Sequence, residues 1–110
     1  MKIGVIGSPN IHIPKIGRYL AEADEIIAGG RRGVGGCAAE FARRSGIPLT
    51  EIPPKIRSYG RAAHTARNRQ IIDRADLTLI FWDLRDKETK TAIRYAEKSG
   101  KTYEIIYHLT

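Results

Sequence analysis

The distribution of apolar and polar residues along the chain predicts alternating strands and helices. Short apolar runs without polar alternation are typical of strands that are buried on both faces. The five predicted strands are residues 2–7, 25–28, 49–52, 77–82 and 102–107. Between them, apolar residues recur at helical spacing. Four helices are expected, and they begin near Pro14, in the glycine-rich turn after residue 28, near Gly60 and near Glu88. The second helix is expected to end before Gly46, and the fourth before Gly100.

This alternation indicates an α/β fold, in which one parallel sheet is covered by helices on both faces. The run 77–82 is the most continuous apolar stretch, so it should form a central strand. We expect the strand order 3-2-1-4-5 within a single domain that spans residues 1–110. Ligands of such sheets bind beyond the carboxyl ends of the strands, here at the switch point between the first and the fourth.

The glycine-rich turn after the second strand is the strongest candidate for a ligand site. It combines two arginines with five glycines, and these residues are Gly29, Gly30, Arg31, Arg32, Gly33, Gly35 and Gly36. Glycine lets a ligand approach the backbone closely, and the amides and dipole of the following helix favour an anion such as phosphate. A flexible turn with two solvated arginines is the alternative. Neither the P-loop pattern nor Gly-x-Gly-x-x-Gly is present.

The net charge of +7 is concentrated in the middle third of the chain. Between Arg31 and Arg74 there are ten basic residues and three acidic ones, whereas the rest of the chain is balanced. A basic zone attracts polyanions, although a merely solvated surface would have the same composition. The single cysteine fits a reducing compartment, and no apolar run is long enough to span a bilayer. We therefore expect a cytoplasmic protein without a membrane partner.

The helix predicted from about residue 60 carries polar groups where apolar ones would be expected. The arc that is apolar in its C-terminal half continues toward the N-terminus as Asn68, His64 and Arg61. Burying such groups against a sheet is unfavourable, so they are expected to line a wet pocket or to hold a ligand. Arg67 lies beside them and is the residue type that binds phosphate in a bidentate manner. The alternative is that the helix leaves the core before Asn68.

The turns after the first and the fourth strands supply further candidates. Gly7 and Ser8 follow the first strand, and Ser8 could donate to a phosphate or a ribose hydroxyl or serve as an ordinary turn serine. Asp83 follows the fourth strand, where a carboxylate could bind ribose hydroxyls, position a base or cap the next helix. Cys37 fits a small buried helix residue better than a nucleophile. The three histidines lack metal-ligand spacing, so we expect no metal site.

Three motifs stand in order at the ends of predicted strands. They are Gly29-Gly30-Arg31-Arg32-Gly33-Val34 before an alanine-rich helix, Arg67-Asn68, and Phe81-Trp82-Asp83. Together they resemble the SLOG superfamily, on its YspA-type, YpsA-related side, over nearly the whole chain. The resemblance implies a Rossmann-like three-layer sandwich that recognises nucleotides or nucleotide-derived ligands, including ADP-ribose-like ones. The residues it implies for binding are Gly29, Gly30, Arg31, Gly33, Arg67 and Asn68.

The chain departs from this superfamily at two places. The LOG phosphoribohydrolases, which cleave a base from a nucleoside monophosphate, carry Pro-Gly-Gly-x-Gly-Thr-x-x-Glu. At the corresponding position this chain has Phe-Trp-Asp-Leu-Arg-Asp-Lys-Glu-Thr, without a glycine. Gly35 stands where relatives on the YspA-type side commonly carry an aspartate. These departures disfavour an enzyme.

We therefore expect a nucleotide-binding module or sensor that takes a nucleotide as its ligand and requires no cofactor. The alternative is an N-glycosidic hydrolase, in which Asp83, Asp86 or Glu88 would stabilise oxocarbenium charge or activate water. A third interpretation is nucleic-acid binding through the basic middle third, which ranks behind a small nucleotide because few aromatic residues are interleaved there. Related molybdenum-cofactor carriers suggest a fourth ligand class. The sequence leaves a homo-oligomer open.

Overall fold

A computed structural model of the chain describes residues 1–30 and 32–109. The strands are β1 (Lys2–Gly7), β2 (Glu25–Ala28), β3 (Leu49–Glu51), β4 (Leu77–Trp82) and β5 (Tyr103–Tyr107). The helices are α1 (Gly17–Leu20), α2 (Gly33–Ser45), α3 (Ile56–Tyr59), α4 (Ala63–Arg74) and α5 (Lys87–Lys98), and a 3-10 turn, Gly60–Ala62, joins α3 to α4. None of the helices in these two ranges has the length and apolar character needed to cross a membrane.

The five strands form one parallel sheet in the order β3-β2-β1-β4-β5. Ile6 of β1 lies beside Ile80 of β4, and Gly4 of β1 lies beside Ile27 of β2, so β1 is the central strand and β2 and β4 flank it. The expected α/β class and strand order are therefore confirmed, and the architecture is Rossmann-like. Because the strand order reverses between β1 and β4, the switch point lies where the sequence predicts it.

Each face of the sheet is covered by its own apolar layer. On one side, Val34 of α2 packs in a cluster with Phe81, and on the other, Ile71 of α4 packs with Ile80. All four side chains are almost completely buried, which explains why the central strands have no polar alternation. A Cβ atom at Gly7 would lie 2.2 Å from Cγ2 of Val34, so the end of β1 must be glycine for α2 to pack this closely.

Several element boundaries differ from the sequence prediction. The first helix begins at Gly17 instead of near Pro14, and no side chain caps it. The α-helix predicted from about Gly60 begins only at Ala63, after the 3-10 turn, and the short helix α3 before Gly60 was not predicted. Gly60 adopts a left-handed φ of 54°, which interrupts a regular helix between α3 and α4. Strand β3 ends one residue early, although the amide of Ile52 still donates to the Ala28 carbonyl at 2.8 Å.

We predict that Thr78→Val stabilises the protein. Thr78 is 1% exposed, and its Oγ1 has no hydrogen-bond partner within the described ranges. An unsatisfied buried hydroxyl costs about 1–3 kcal/mol, whereas valine has the same shape without that group. The free energy of unfolding should therefore rise by about 1 kcal/mol, as measured by urea denaturation.

Thr50→Val is the matched control for Thr78→Val. The Thr50 hydroxyl donates to the Glu25 carboxylate at 2.9 Å, so its replacement removes a hydrogen bond and should not stabilise the protein. A loss of stability in Thr78→Val, or an equal gain in both variants, would contradict the assignment of Thr78 Oγ1 as unsatisfied.

Candidate functional site

A cleft of about 680 Å³ opens at the carboxyl ends of the central strands. The end of β1, the turn after β2, the residues after β3, the first half of α4 and the start of α5 all contribute to its walls. Of the residues predicted from the sequence to bind a ligand, it brings together Gly7, Gly29, Gly30, Arg32, Gly35, His64, Arg67 and Asn68. These residues come from positions spread over more than half of the chain, and the parallel sheet places them at one edge.

Arg67 is the centre of the polar network in the cleft. Its Nη1 donates to the Gly29 carbonyl at 2.7 Å, and its Nε donates to Oδ1 of Asn68 at 2.9 Å. Its Nη2 lies 3.3 Å from Nδ1 of His64, and since a guanidinium only donates, Nδ1 accepts and the imidazole proton lies on Nε2. These contacts use three of the five N–H groups of the guanidinium and leave two for a ligand.

Gly29 is required by the position of Arg67. A Cβ atom at residue 29 would lie 2.3 Å from Cδ and 2.5 Å from Nη1 of the arginine. Any larger residue would therefore displace the side chain that crosses it. The first glycine of the turn thus has a function that the phosphate-loop interpretation did not include, because it makes room for an arginine instead of a ligand.

The charge of Arg67 is not neutralised by a nearby carboxylate. Burial lowers the pKa of the Arg67 guanidinium, and the attraction of the Glu88 carboxylate opposes this effect. None of the ion pairs within 4.0 Å in the described ranges includes Arg67. Arginine remains protonated in proteins, so a half-buried positive charge faces the cleft. Such a site favours an anionic ligand, since a buried charge without a partner is unfavourable.

The N-terminus of α2 forms a second wall suited to an anion. The helix begins at Gly33, and its N-cap residue, Arg32, makes no side-chain capping bond. The first amides of a helix have no partner within the helix, and its dipole is positive at this end. Arg32 and Gly35 both line the cleft, so the arginine side chain and the start of the helix favour the same kind of ligand.

Four of the predicted residues, however, lie outside the cleft lining. Ser8 is fully buried, with Oγ 3.4 Å from Oγ1 of Thr89, so it joins the first turn to α5. The Cβ position of Gly33 faces the Pro9 carbonyl at 2.9 Å, so this glycine makes room for the turn after β1. Gly36 lines a neighbouring cavity of about 480 Å³, and Arg61 is exposed in the 3-10 turn. Arg31 lies outside the residues that the structure describes.

Asp83 is also outside the cleft, and its carboxylate organises the turn before α5. Its Oδ1 accepts hydrogen bonds from the amides of Arg85 and Asp86, both at 2.8 Å. Asp86 in turn caps α5, since its Oδ2 accepts from the Thr89 amide at 3.0 Å. The cap of α5 is therefore Asp86 and not Asp83, whose carboxylate stabilises the turn before the helix. The acidic groups that line the cleft are Asp86 and Glu88.

Sequence reasoning missed the apolar part of the cleft wall. Pro53 and Pro54 line it directly after β3, and Pro9 lines it after β1. The signal was available in principle, because the carboxyl ends of all parallel strands meet at one edge of the sheet. Nothing in the sequence indicates that Thr89 lines the cleft, because its position depends on the turn that ends at Asp86.

Cys37 and the histidines form no metal site within residues 1–30 and 32–109, since no group of three or more His, Cys, Asp or Glu residues is arranged to hold an ion. Cys37 is buried in α2, as the sequence suggests. Its Sγ lies 3.3 Å from Nδ1 of His12, a contact that was not anticipated.

Compared with protein-family models and with curated protein sequences, the chain gives no significant match. The resemblance to the SLOG superfamily therefore depends on the three motifs alone, and membership stays a prediction. The structure confirms the Rossmann-like α/β fold that the resemblance implies.

We predict that Asp83→Asn reduces the sensitivity of the fold to acid. The backbone amides of Asp86 and Arg85 hold the pKa of the Asp83 carboxyl below its ordinary value of 3.8. A carboxyl with a lowered pKa in the folded state stabilises the protein above its unfolded-state pKa, and this contribution is lost as the pH falls through the folded-state value. Melting temperatures between pH 6 and pH 2 should therefore fall less steeply below about pH 4 in the variant.

Glu97→Gln is the control for Asp83→Asn, because it removes an exposed carboxylate outside this turn. Its acid profile should follow that of the wild type. If Asp83→Asn had the wild-type profile as well, the carboxylate of Asp83 would not stabilise the turn.

Proposed function

We propose that this protein binds a nucleotide or a nucleotide-derived ligand in the cleft, as a binding module or sensor without turnover. The observation that carries the proposal is the half-buried guanidinium of Arg67, which lies at the cleft without a carboxylate within 4.0 Å in the described ranges. A phosphate would supply the missing negative charge and accept from the two remaining N–H groups. Charge-assisted hydrogen bonds of this kind are among the strongest that side chains form.

The dimensions of the cleft support a ligand of nucleotide size. Its volume of about 680 Å³ falls within the usual range for small-molecule sites, roughly 300–1,000 Å³. The phosphate would lie between Arg67 and the first amides of α2, with Arg32 at its side. Glu88, which also lines the cleft, could accept hydrogen bonds from ribose hydroxyls. The resemblance to the SLOG superfamily agrees with this ligand class, including ADP-ribose-like ligands.

An N-glycosidic hydrolase is the second candidate, and one observation favours it. Glu88 lines the cleft and acts electrostatically on Arg67, so a carboxylate and a guanidinium share the same volume. A carboxylate in such a position could stabilise an oxocarbenium ion or activate water. Against this, the Glu88 side chain is exposed in the first turn of α5. The loop before α5 contains no glycine, so it lacks a second glycine turn that could hold a phosphate. Catalysis requires a carboxylate that is held in place.

We predict that Arg67→Ala weakens nucleotide binding by about 1.5–3 kcal/mol, the usual contribution of a hydrogen bond to a charged group. The measurement is calorimetry with AMP, GMP, CMP, UMP and ADP-ribose, preceded by a thermal-shift screen, since a bound ligand stabilises the folded protein by mass action. Asn68→Ala should weaken binding as well, because Oδ1 of Asn68 orients the Arg67 Nε.

Two further variants separate the cleft from general effects of charge. Arg69→Ala removes the same charge two residues away, where the guanidinium lies over the ring of Tyr95, and it should leave affinity unchanged. Gly29→Ala keeps Arg67 but displaces its side chain, so it should weaken binding. Unchanged affinity in Arg67→Ala, or an equal loss in Arg69→Ala, would remove Arg67 from the site.

We predict that the protein does not release the base from AMP, GMP, CMP or UMP at a rate typical of an enzyme. The assay is chromatographic detection of free base. Turnover near or above roughly one per second, within the ordinary range for enzymes, would contradict the binding-module interpretation if it disappeared in Glu88→Gln. Asp83→Asn is the matched variant, since Asp83 caps a turn outside the cleft and its loss should not abolish genuine turnover.

A further inference from the structure

The segment of residues 55–62, which we call the bridging segment, is exposed throughout. It contains α3 and the 3-10 turn, and neither of these elements has a buried residue. The flanking positions are different, because Ile52 is 7% exposed and Ala63 is fully buried. The segment is therefore anchored at both ends while contributing no side chain to the core.

Both ends of the bridging segment meet the cleft. Pro53 and Pro54, immediately before it, line the cleft, and His64, two residues after it, lines the cleft from α4. The segment thus connects two parts of the cleft wall. Arg67 follows His64 by one helical turn on α4. A ligand held at Arg67 is therefore near the end of α4 at which the bridging segment joins the helix.

The side chains of the bridging segment suit an aromatic anion. Ile56 is 61% exposed and Tyr59 is 49% exposed, and their spacing of three places them on the same face of α3. Lys55, Arg57 and Arg61 are basic, and the segment contains no acidic residue. Exposed apolar residues are ordinary when scattered singly, but here two of them accompany a concentration of positive charge beside a cleft.

The cleft itself offers no aromatic ring of Phe, Tyr or Trp among its lining residues. Nucleobases bind proteins largely by stacking, and aromatic side chains provide the surface for it. In the proposed arrangement the phosphate of a nucleotide binds in the cleft, whereas only prolines and His64 offer rings beside its base. Tyr59 is the aromatic residue of the segment that joins these two groups, and it lies outside the cleft lining.

We propose that Tyr59 is a specificity-determining residue that stacks on the base of a nucleotide whose phosphate binds at Arg67. This inference rests on the proposed function and adds that an aromatic base is recognised outside the cleft, by the bridging segment. Tyr59 does not line the cleft in this structure, so the contact requires the segment to move toward the ligand.

The test compares ligands with and without a base. Affinities of AMP, GMP, CMP, UMP and ribose 5-phosphate are measured by calorimetry for the wild type, Tyr59→Ala, Tyr59→Phe and Tyr107→Ala. Tyr107 is a matched control, since it is 56% exposed at the end of β5. Tyr59→Ala should weaken the tightest of the four nucleotides at least fivefold, as expected for loss of one stacked ring, and change ribose 5-phosphate less than twofold. Tyr59→Phe and Tyr107→Ala should resemble the wild type.

Other outcomes overturn the inference. If Tyr59→Ala leaves nucleotide affinity unchanged while the wild type binds, the inference is wrong and the proposed function stands. If the variant weakens nucleotide and ribose 5-phosphate equally, Tyr59 does not recognise the base. If the wild type binds none of the five ligands, the proposed function itself fails, and the inference fails with it. Because Tyr59 is exposed, its replacement should leave the melting temperature unchanged, which separates recognition from folding.

Limited proteolysis gives an independent measurement. Lys55, Arg57 and Arg61 are exposed sites for trypsin within the bridging segment. Saturation with the tightest nucleotide should slow cleavage at these residues in the wild type, and ribose 5-phosphate at saturation should not. Equal protection by both ligands would show that the segment responds to the phosphate alone, which would contradict recognition of the base.

Discussion

The cleft depends on the contact between the Arg67 guanidinium and the Gly29 carbonyl. This hydrogen bond of 2.7 Å joins α4, on one face of the sheet, to the turn that leads into α2 on the other. The arginine also orients Asn68 and His64, so one side chain organises three groups of the wall. A guanidinium held in this way is pre-organised, and a ligand therefore loses little free energy in ordering it.

Charges of both signs in the cleft restrict the kind of ligand that fits. Arg32 and Arg67 line the cleft together with Asp86 and Glu88, and the Glu88 carboxylate attracts the Arg67 guanidinium. A polyphosphate chain that filled the whole cleft would approach the carboxylates and be repelled. A molecule with one phosphate and a set of hydroxyl groups suits both the basic and the acidic side chains. This arrangement therefore argues for a nucleotide in preference to a nucleic-acid strand lying along the cleft.

The fold could be predicted from the sequence, whereas the site could be predicted only in part. Apolar runs at 2–7 and 77–82 predict central strands because both faces of those strands are covered. The glycine turn could be located because parallel strands end at one edge, and Arg67 because polar groups continue the apolar arc of its helix. The contact between Gly29 and Arg67 could not, since it joins residues 38 positions apart. The positions of Ser8 and Asp83 outside the cleft lining could not be predicted either, because they depend on hydrogen bonds of the turn before α5.

The charge of Arg67 would connect the stability of the protein to the ligand that we propose. Keeping a half-buried guanidinium with no carboxylate within 4.0 Å among the described residues disfavours the folded state, and the attraction of Glu88 offsets only part of this cost. The arrangement is therefore poorly explained by folding alone. An anion that binds only the folded protein would remove the same cost and stabilise it in proportion to the logarithm of ligand concentration. If the proposed ligand binds at Arg67, the feature that is unfavourable for the isolated chain is also the one that makes its stability respond to that ligand.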